Sequence, residues 1–201
     1  MNSVHVAVQK FQKERESLNN TVSSRAEIIA SCKEIVADKG IEAVSIREVA
    51  KRSHISVGAV YNYFPTKGQL LAATIGSIWS EIFHLSEESY AFDDFVECLE
   101  ALFQSVAIGK KHYPHFFTSH ALVLAFDDKM MGQKMMDNYW QHIKESLRHT
   151  LAKDQRVRQN VFKEDLTLEK YVDYIFELFL YGITHEENSI GIIQLVKNSL
   201  Y

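Results

Sequence analysis

Two groups of residues in this 201-residue chain have types and spacings that chemistry could use. The first is a histidine series, His112, His115 and His120. Imidazoles at such short spacings bind a metal when one face or one tight turn presents them together. Pro114 stands between the first two and breaks any helix that would align them, and no cysteine lies near. No metal site is expected, and these histidines read as surface or pocket-rim groups. No Gly-x-Ser-x-Gly, glycine-rich phosphate loop or His-Glu-x-x-His occurs, so neither an enzyme nor a cofactor is expected. The second group is Val57, Gly58 and Ala59, followed by Tyr61, Tyr63 and Lys67. Three small side chains in a row let a helix approach another surface closely. A helix with such a face fits a DNA major groove, about 12 Å wide. Tyrosine hydroxyls and an ammonium around it are phosphate-binding groups, which set position and register on a duplex.

The elements that must position this group are legible from their caps. Ser24 and Glu27 make a Ser-x-x-Glu capping box, Ile28, Ile29, Cys32, Ile35 and Val36 follow at helical spacing, and Gly40 stops the pattern. This predicts a helix over 24–39. Ser45 with Glu48 starts a second, over 45–52. Ser56 caps a third, which Pro65 ends at Phe64. Thr66 with Gln69 starts a fourth and places Lys67 at its N-terminus, where free backbone N–H groups and the helix dipole favour an anion. The second and third helices, joined through Ser53, His54 and Ile55, form a helix-turn-helix. Further helical patterns follow over 92–112, 114–126, 128–152, 166–183 and 188–200. Residues 1–22 read as a polar extension. The fold class predicted is all-α.

The run Ser24–Leu71 resembles the DNA-binding head of the TetR family of bacterial transcriptional regulators. The residues that carry the resemblance are Arg25, Ile28, Ile29, Gly40, Val49, Ala50, Ile55, Ser56, Gly58, Tyr61, Tyr63, Phe64, Lys67, Leu70 and Leu71. The family often has Ala-Gly at the turn, where Ser53-His54 stands here, and Thr at the second helix's cap, where Ser45 stands. The resemblance implies a homodimer whose two heads read the half-sites of a palindromic operator, with a small-molecule effector in the body. It implies that Tyr61 and Lys67 bind phosphate, and that Val57, Gly58, Ala59 and Asn62 face the bases. Arg47 would reach a phosphate or a guanine edge, Ser45 would add its hydroxyl, and Ser56 and Tyr63 complete the candidate surface. The expected division is an extension over 1–22, a head over 23–70 and an effector-binding and dimerisation domain over 71–201.

In the body, Phe103, Phe116, Phe117, His120, Met135, Tyr139 and Trp140 are candidates for the effector pocket, since ligand sites are lined by such aromatic and adaptable groups. The last two helical patterns are too apolar for a solvated chain end. Tyr171, Ile175, Leu178, Phe179, Ile193 and Val196 are the candidates for a dimer interface on a two-fold axis. An alternative expectation is a regulator of this kind whose body answers to a protein partner instead of a small ligand.

Composition fits this reading. Two prolines and eight glycines are few breakers, as long helices require. Cys32 and Cys98 fall in apolar helical patterns and read as small buried hydrophobes. No uncharged run reaches the ~18 residues of a membrane span. Met1–Lys10 has no apolar signal core, so a cytoplasmic, reducing setting is expected. The net charge of −4 argues against a nucleic-acid partner only as an average. Residues 1–67 hold 10 Lys+Arg and 7 Asp+Glu, a net +3, and the remainder holds a net −7.

Overall fold

The computed structural model describes residues 24–84, 92–117, 132–185 and 189–201. Among them are eight α-helices and no strand beyond the bridge pair Lys163–Leu166. The helices are α1 Arg25–Lys39, α2 Ile46–Arg52, α3 Val57–Tyr63, α4 Lys67–His84, α5 Phe95–His112, α6 Gly132–Lys153, α7 Leu168–Thr184 and α8 Ser189–Leu200. None is long and apolar enough to cross a membrane. The expected extension over 1–22 lies outside the described residues.

The caps act where the sequence puts them. The Ser24 hydroxyl accepts from Glu27 N at 3.2 Å, and the Glu27 carboxylate accepts from Ser24 N in return. Gly40 ends α1 at φ 82, a left-handed value that a side chain rarely adopts. Ser45, Ser56 and Thr66 each accept from the backbone N–H three residues on. One expected helix departs from its pattern. Residues 114–116 form a hydrogen-bonded turn and not a first helical turn, with Phe116 N donating to Tyr113 O at 3.0 Å. Pro114 offers no N–H and pushes Tyr113 out of the helical region. The remainder of that pattern, 118–126, lies outside the described residues.

The head is α1 to α3 with the first turns of α4. Ile28, Cys32, Val36, Val49, Val60, Phe64 and Leu70 make its buried centre. Arg25 lies 5.0 Å from the centroid of the Phe64 ring, tying the start of α1 to the end of α3. The turn between α2 and α3 carries two local penalties. His54 sits at φ 55, and the Ser53 hydroxyl is buried with no partner. These are the two positions where the sequence departs from Ala-Gly, and the geometry there suits Ala-Gly better.

α4 continues unbroken out of the head and becomes a core helix of the body, packed on α1, α5 and α6. α5 comes so close that a Cβ on Gly109 would meet Ile82 Cγ1 at 2.7 Å. Burial pushes the Cys32 and Cys98 thiols up to about 11, so both stay protonated inside the core. At the far end, Asp154 joins three elements. Its carboxylate accepts from Phe95 N at the start of α5, from the Arg156 backbone and guanidinium, and from the Tyr201 hydroxyl just past α8. Arg156 also pairs with Asp94, the N-cap of α5, at 2.6 Å. Burial pushes the Asp154 carboxyl up, but the bonds from Arg156, Tyr201 and two backbone amides outweigh it and hold it well below the usual carboxylate range.

Two stability predictions follow from these features. Asp154→Asn should lower unfolding free energy by about 1–3 kcal/mol at pH 7, from lost charge-assisted bonds around a buried acceptor. A depressed carboxyl stabilises the fold above its unfolded value, about 3.9, and that contribution fades as pH falls through the folded value. The gap between wild type and variant should therefore narrow at acid pH, and equal denaturant midpoints at pH 7 contradict the account. At the turn, Ser53→Ala should raise stability by about 1 kcal/mol, by removing an unpaired buried hydroxyl. His54→Gly should gain less, because glycine's unfolded-state entropy offsets the relieved strain. Urea unfolding measures both, and a destabilised Ser53→Ala protein contradicts the reading.

Candidate nucleic-acid interface

The candidate surface is built from the exposed starts of three helices of the head. Ser45 caps α2 and Arg47 follows it in the first turn, both exposed. Ser56 caps α3, and its hydroxyl is engaged with Ala59 N at 3.1 Å. Val57 and Gly58 are exposed and Ala59 is half-buried, so the first turn of α3 presents small groups outward. Tyr61 is 47% exposed and Asn62 is exposed beside it. Val60, on the opposite side of the same helix, is fully buried and fixes which face looks out. Tyr63 is half-buried and packs on the head core, so its ring has a structural task that Tyr61 lacks.

Lys67 is exposed and opens α4, whose first turn is capped by Thr66 through Gln69 N at 3.1 Å. Among the described residues, Arg47 and Lys67 make no ion pair, in contrast to Arg52. That guanidinium is held by Glu34 at 2.8 Å and Asp38 at 2.9 Å on α1. The cations at the exposed helix starts are therefore uncommitted, and the one on the flank is neutralised within the head. Gly58 is open to solvent. A Cβ there would meet only Ser56 Oγ, at an ordinary 3.8 Å, so helix packing does not require glycine at this position.

The body candidates separate into two places. Phe116, Phe117 and Trp140 come together around Trp79 of α4, with ring centroids 5.4, 5.5 and 5.2 Å from it. Phe103 stands elsewhere, against Phe179 of α7 at 4.9 Å. His120 lies outside the described residues, as do the side chains of Met135 and Tyr139. Trp79, which is not among the pocket candidates expected from the sequence, stands at the centre of this cluster. A usable signal was present, since Trp79 and Trp140 are the chain's two tryptophans and Phe83 follows Trp79 by one helical turn. Among the described residues no three His, Cys, Asp or Glu side chains gather as a metal site would need. His112 turns its Nδ1 to the Ile108 carbonyl of its own helix, 3.1 Å away.

Head and body meet at Glu81 of α4. Its Oε2 accepts from Lys33 of α1 at 2.5 Å and from the Tyr113 hydroxyl at 3.0 Å. Burial raises this carboxyl, but the bonds from Lys33 and Tyr113 outweigh it and hold it below the ordinary value, so it stays charged. Two residues on, His115 packs its Cβ against Gly40 at the end of α1. Residues 113–117 thus touch the head on one side and the Trp79 cluster on the other.

The dimer candidates fall mostly inside the protomer. Tyr171, Ile175, Phe179, Ile193 and Val196 are buried within the single chain, and Leu178 is half-buried. The outward apolar groups of α7 and α8 are instead Tyr174, Tyr181, Ile190 and Leu195, between 49% and 69% exposed.

Comparison with known proteins bears on the head and on the fold. Residues 28–74 match the sequence model described as bacterial regulatory proteins, tetR family. The repressor KstR of Mycobacterium tuberculosis is 40% identical over 58 residues, 29% of this chain and 26% of that protein. KstR of Rhodococcus jostii is 31% identical over 77 residues, 38% of this chain and 36% of that protein. The matched stretches thus span well under half of either relative. Over more of the chain the likeness is one of fold. RolR, solved with resorcinol, superposes with a TM-score of 0.56 at 19% identity, covering 85% of this chain and 82% of its own. Reduced NemR of E. coli superposes at 0.59 with 15% identity, covering 88% and 97%. Residues 28–74 are thus similar to the tetR family of bacterial regulatory proteins, and over most of the chain the helices share the fold of RolR and NemR.

Proposed function

We propose that the chain is a DNA-binding transcriptional regulator, a repressor by the pattern of its relatives. In this reading it binds a palindromic operator as a homodimer under control of a small molecule held in the body. The observation that carries the reading is the outward face of α3. Small groups at Val57, Gly58 and Ala59 lie beside exposed Tyr61 and Asn62, and Arg47 and Lys67 are exposed at the starts of the neighbouring helices. The start of α3 enters the major groove, where Asn62 and the small side chains meet base edges. Tyr61, Lys67 and Ser45 hold phosphates and fix the register, and Arg47 takes a phosphate or a guanine edge. The second copy docks on the outward groups of α7 and α8, Tyr174, Tyr181, Ile190 and Leu195, by an isologous contact.

Control then requires a ligand with unequal affinity for two arrangements of the heads. The 113–117 turn supplies a contiguous route between them. Phe116 and Phe117 touch Trp79 and share this turn with Tyr113, which bonds Glu81 beside Lys33, so a shift of the rings would be felt at that carboxylate. The alternative, a body that answers to a protein, draws on an open groove of about 460 Å³ between α5 and α8. Phe103, Ile190 and Ile193 line it together with Glu100 and Lys197, which pair at 3.3 Å.

Two substitutions test the interface. Lys67→Ala should weaken binding to every duplex by a similar factor and lower the salt slope by about one per protomer. An unchanged affinity and slope contradicts the phosphate role. Gly58→Ala should raise the unfolding midpoint slightly, since alanine suits a helix better than glycine and meets no clash here, while weakening binding to the preferred duplex. Unaltered DNA binding would show that the α3 face does not approach the bases.

A further inference from the structure

The chain's two tryptophans meet edge to face in the middle of the body, with ring centroids 5.2 Å apart at 68°. Trp79 is 1% exposed and Trp140 is 7% exposed. Phe83 stacks on Trp79 at 5.6 Å, Phe116 and Phe117 meet it edge-on, and Phe176 meets Trp140 at 5.5 Å. Both indole Nε1–H groups are buried and neither has an acceptor. A buried indole usually finds a partner for its N–H, and an orphaned donor costs about 1–3 kcal/mol. Two such donors on touching rings, walled by phenylalanines that offer no acceptor, call for an explanation beyond packing.

We infer that the two indole N–H groups are the polar anchors of a ligand site in the body. The ligand class they select is a flat, apolar molecule carrying a neutral oxygen acceptor, such as a ketone, ester or lactone carbonyl. This inference rests on the effector-controlled reading above and supplies its ligand chemistry. The site offers donors, so the ligand must bring acceptors. A neutral acceptor follows from the charges at the rim. Lys144 lies 5.1 Å from the centroid of the Phe176 ring but is held by Asp173 at 3.1 Å. Lys110 lies 5.7 Å from the centroid of the Phe117 ring and donates to the Ile183 carbonyl at 3.3 Å. Glu81, two residues after Trp79 on α4, already accepts from Lys33 and Tyr113. Each cation recorded against the cluster among the described residues has a partner already. A carboxylate entering here would lose its water without gaining an unspent counter-charge, at a penalty far above that of a carbonyl. A pure hydrocarbon would leave both donors unpaired and forgo about tenfold in affinity, the worth of one or two neutral hydrogen bonds.

The two tryptophans also supply the assay, because the chain labelled with ¹⁵N-tryptophan gives only two indole cross-peaks. Trp79→Phe and Trp140→Phe assign them, and if one variant fails to fold, the other assigns both by elimination. The full-length protein is titrated with acetophenone, with ethylbenzene and with benzoate into the millimolar range. Acetophenone should move both indole protons downfield and saturate. Ethylbenzene should bind about tenfold more weakly without that downfield shift, and benzoate should also bind more weakly than acetophenone. The inference is overturned if acetophenone moves neither peak, as it would if buried water already satisfied the donors. It is also overturned if ethylbenzene matches acetophenone, or if benzoate binds more tightly. Duplex-DNA binding is measured on the same samples. Saturation by acetophenone with DNA binding unaltered supports the ligand class and removes the effector reading. DNA binding with unmoved indole peaks removes the ligand class and leaves the DNA-binding reading standing.

Discussion

One carboxylate holds the two halves of this molecule in register. Glu81 receives Lys33 from the head and Tyr113 from the body on the same oxygen. It can do so because α4 is one unbroken helix from Lys67 to His84. The first turn of α4 belongs to the candidate DNA surface, and its later turns carry Trp79 and Glu81. A rigid rod shared by two units converts a small displacement at one end into a change of angle at the other. The close fit of Gly109 on Ile82 and of His115 on Gly40 removes the slack that would absorb such a displacement.

The charge distribution bears on how such a head would bind. A net +3 over residues 1–67 is a weak field, and Arg52 is already neutralised by Glu34 and Asp38. Affinity by bulk attraction would be modest at physiological salt. Binding would depend on the few placed groups at the helix starts, doubled by a second protomer. The acidic remainder, a net −7, would repel a duplex approaching from any other side.

The local structure was legible because its signals are local. Ser24, Ser45, Ser56 and Thr66 cap helices where the capping pattern placed them, and Gly40 takes the left-handed turn that ends α1. Pro114 was read as a helix start, but the residue before it is the cap that ends α5, and the chain turns there instead. What escaped the sequence is long-range. Asp154 bonds a backbone amide 59 residues away, and Lys33 and Glu81 are 48 apart, pairings that no periodicity encodes. The apolar stripe of α7 and α8 was visible, but its direction was not. A helix apolar on several sides does not announce which side faces its own core, so Ile175, Phe179 and Val196 read as a dimer seam although the chain buries them itself. Trp79 fell to the same ambiguity, since an aromatic residue at helical spacing looks like core whether or not its N–H has a partner.

The central claim is that the α3 face reads DNA sequence, and sequencing the genomic fragments retained by the purified full-length chain tests it most directly. The account predicts enrichment of one short palindrome whose half-sites lie about one helical turn apart, as two heads on a two-fold axis require. Fragments retained in proportion to their length alone, with no shared sequence, would contradict it.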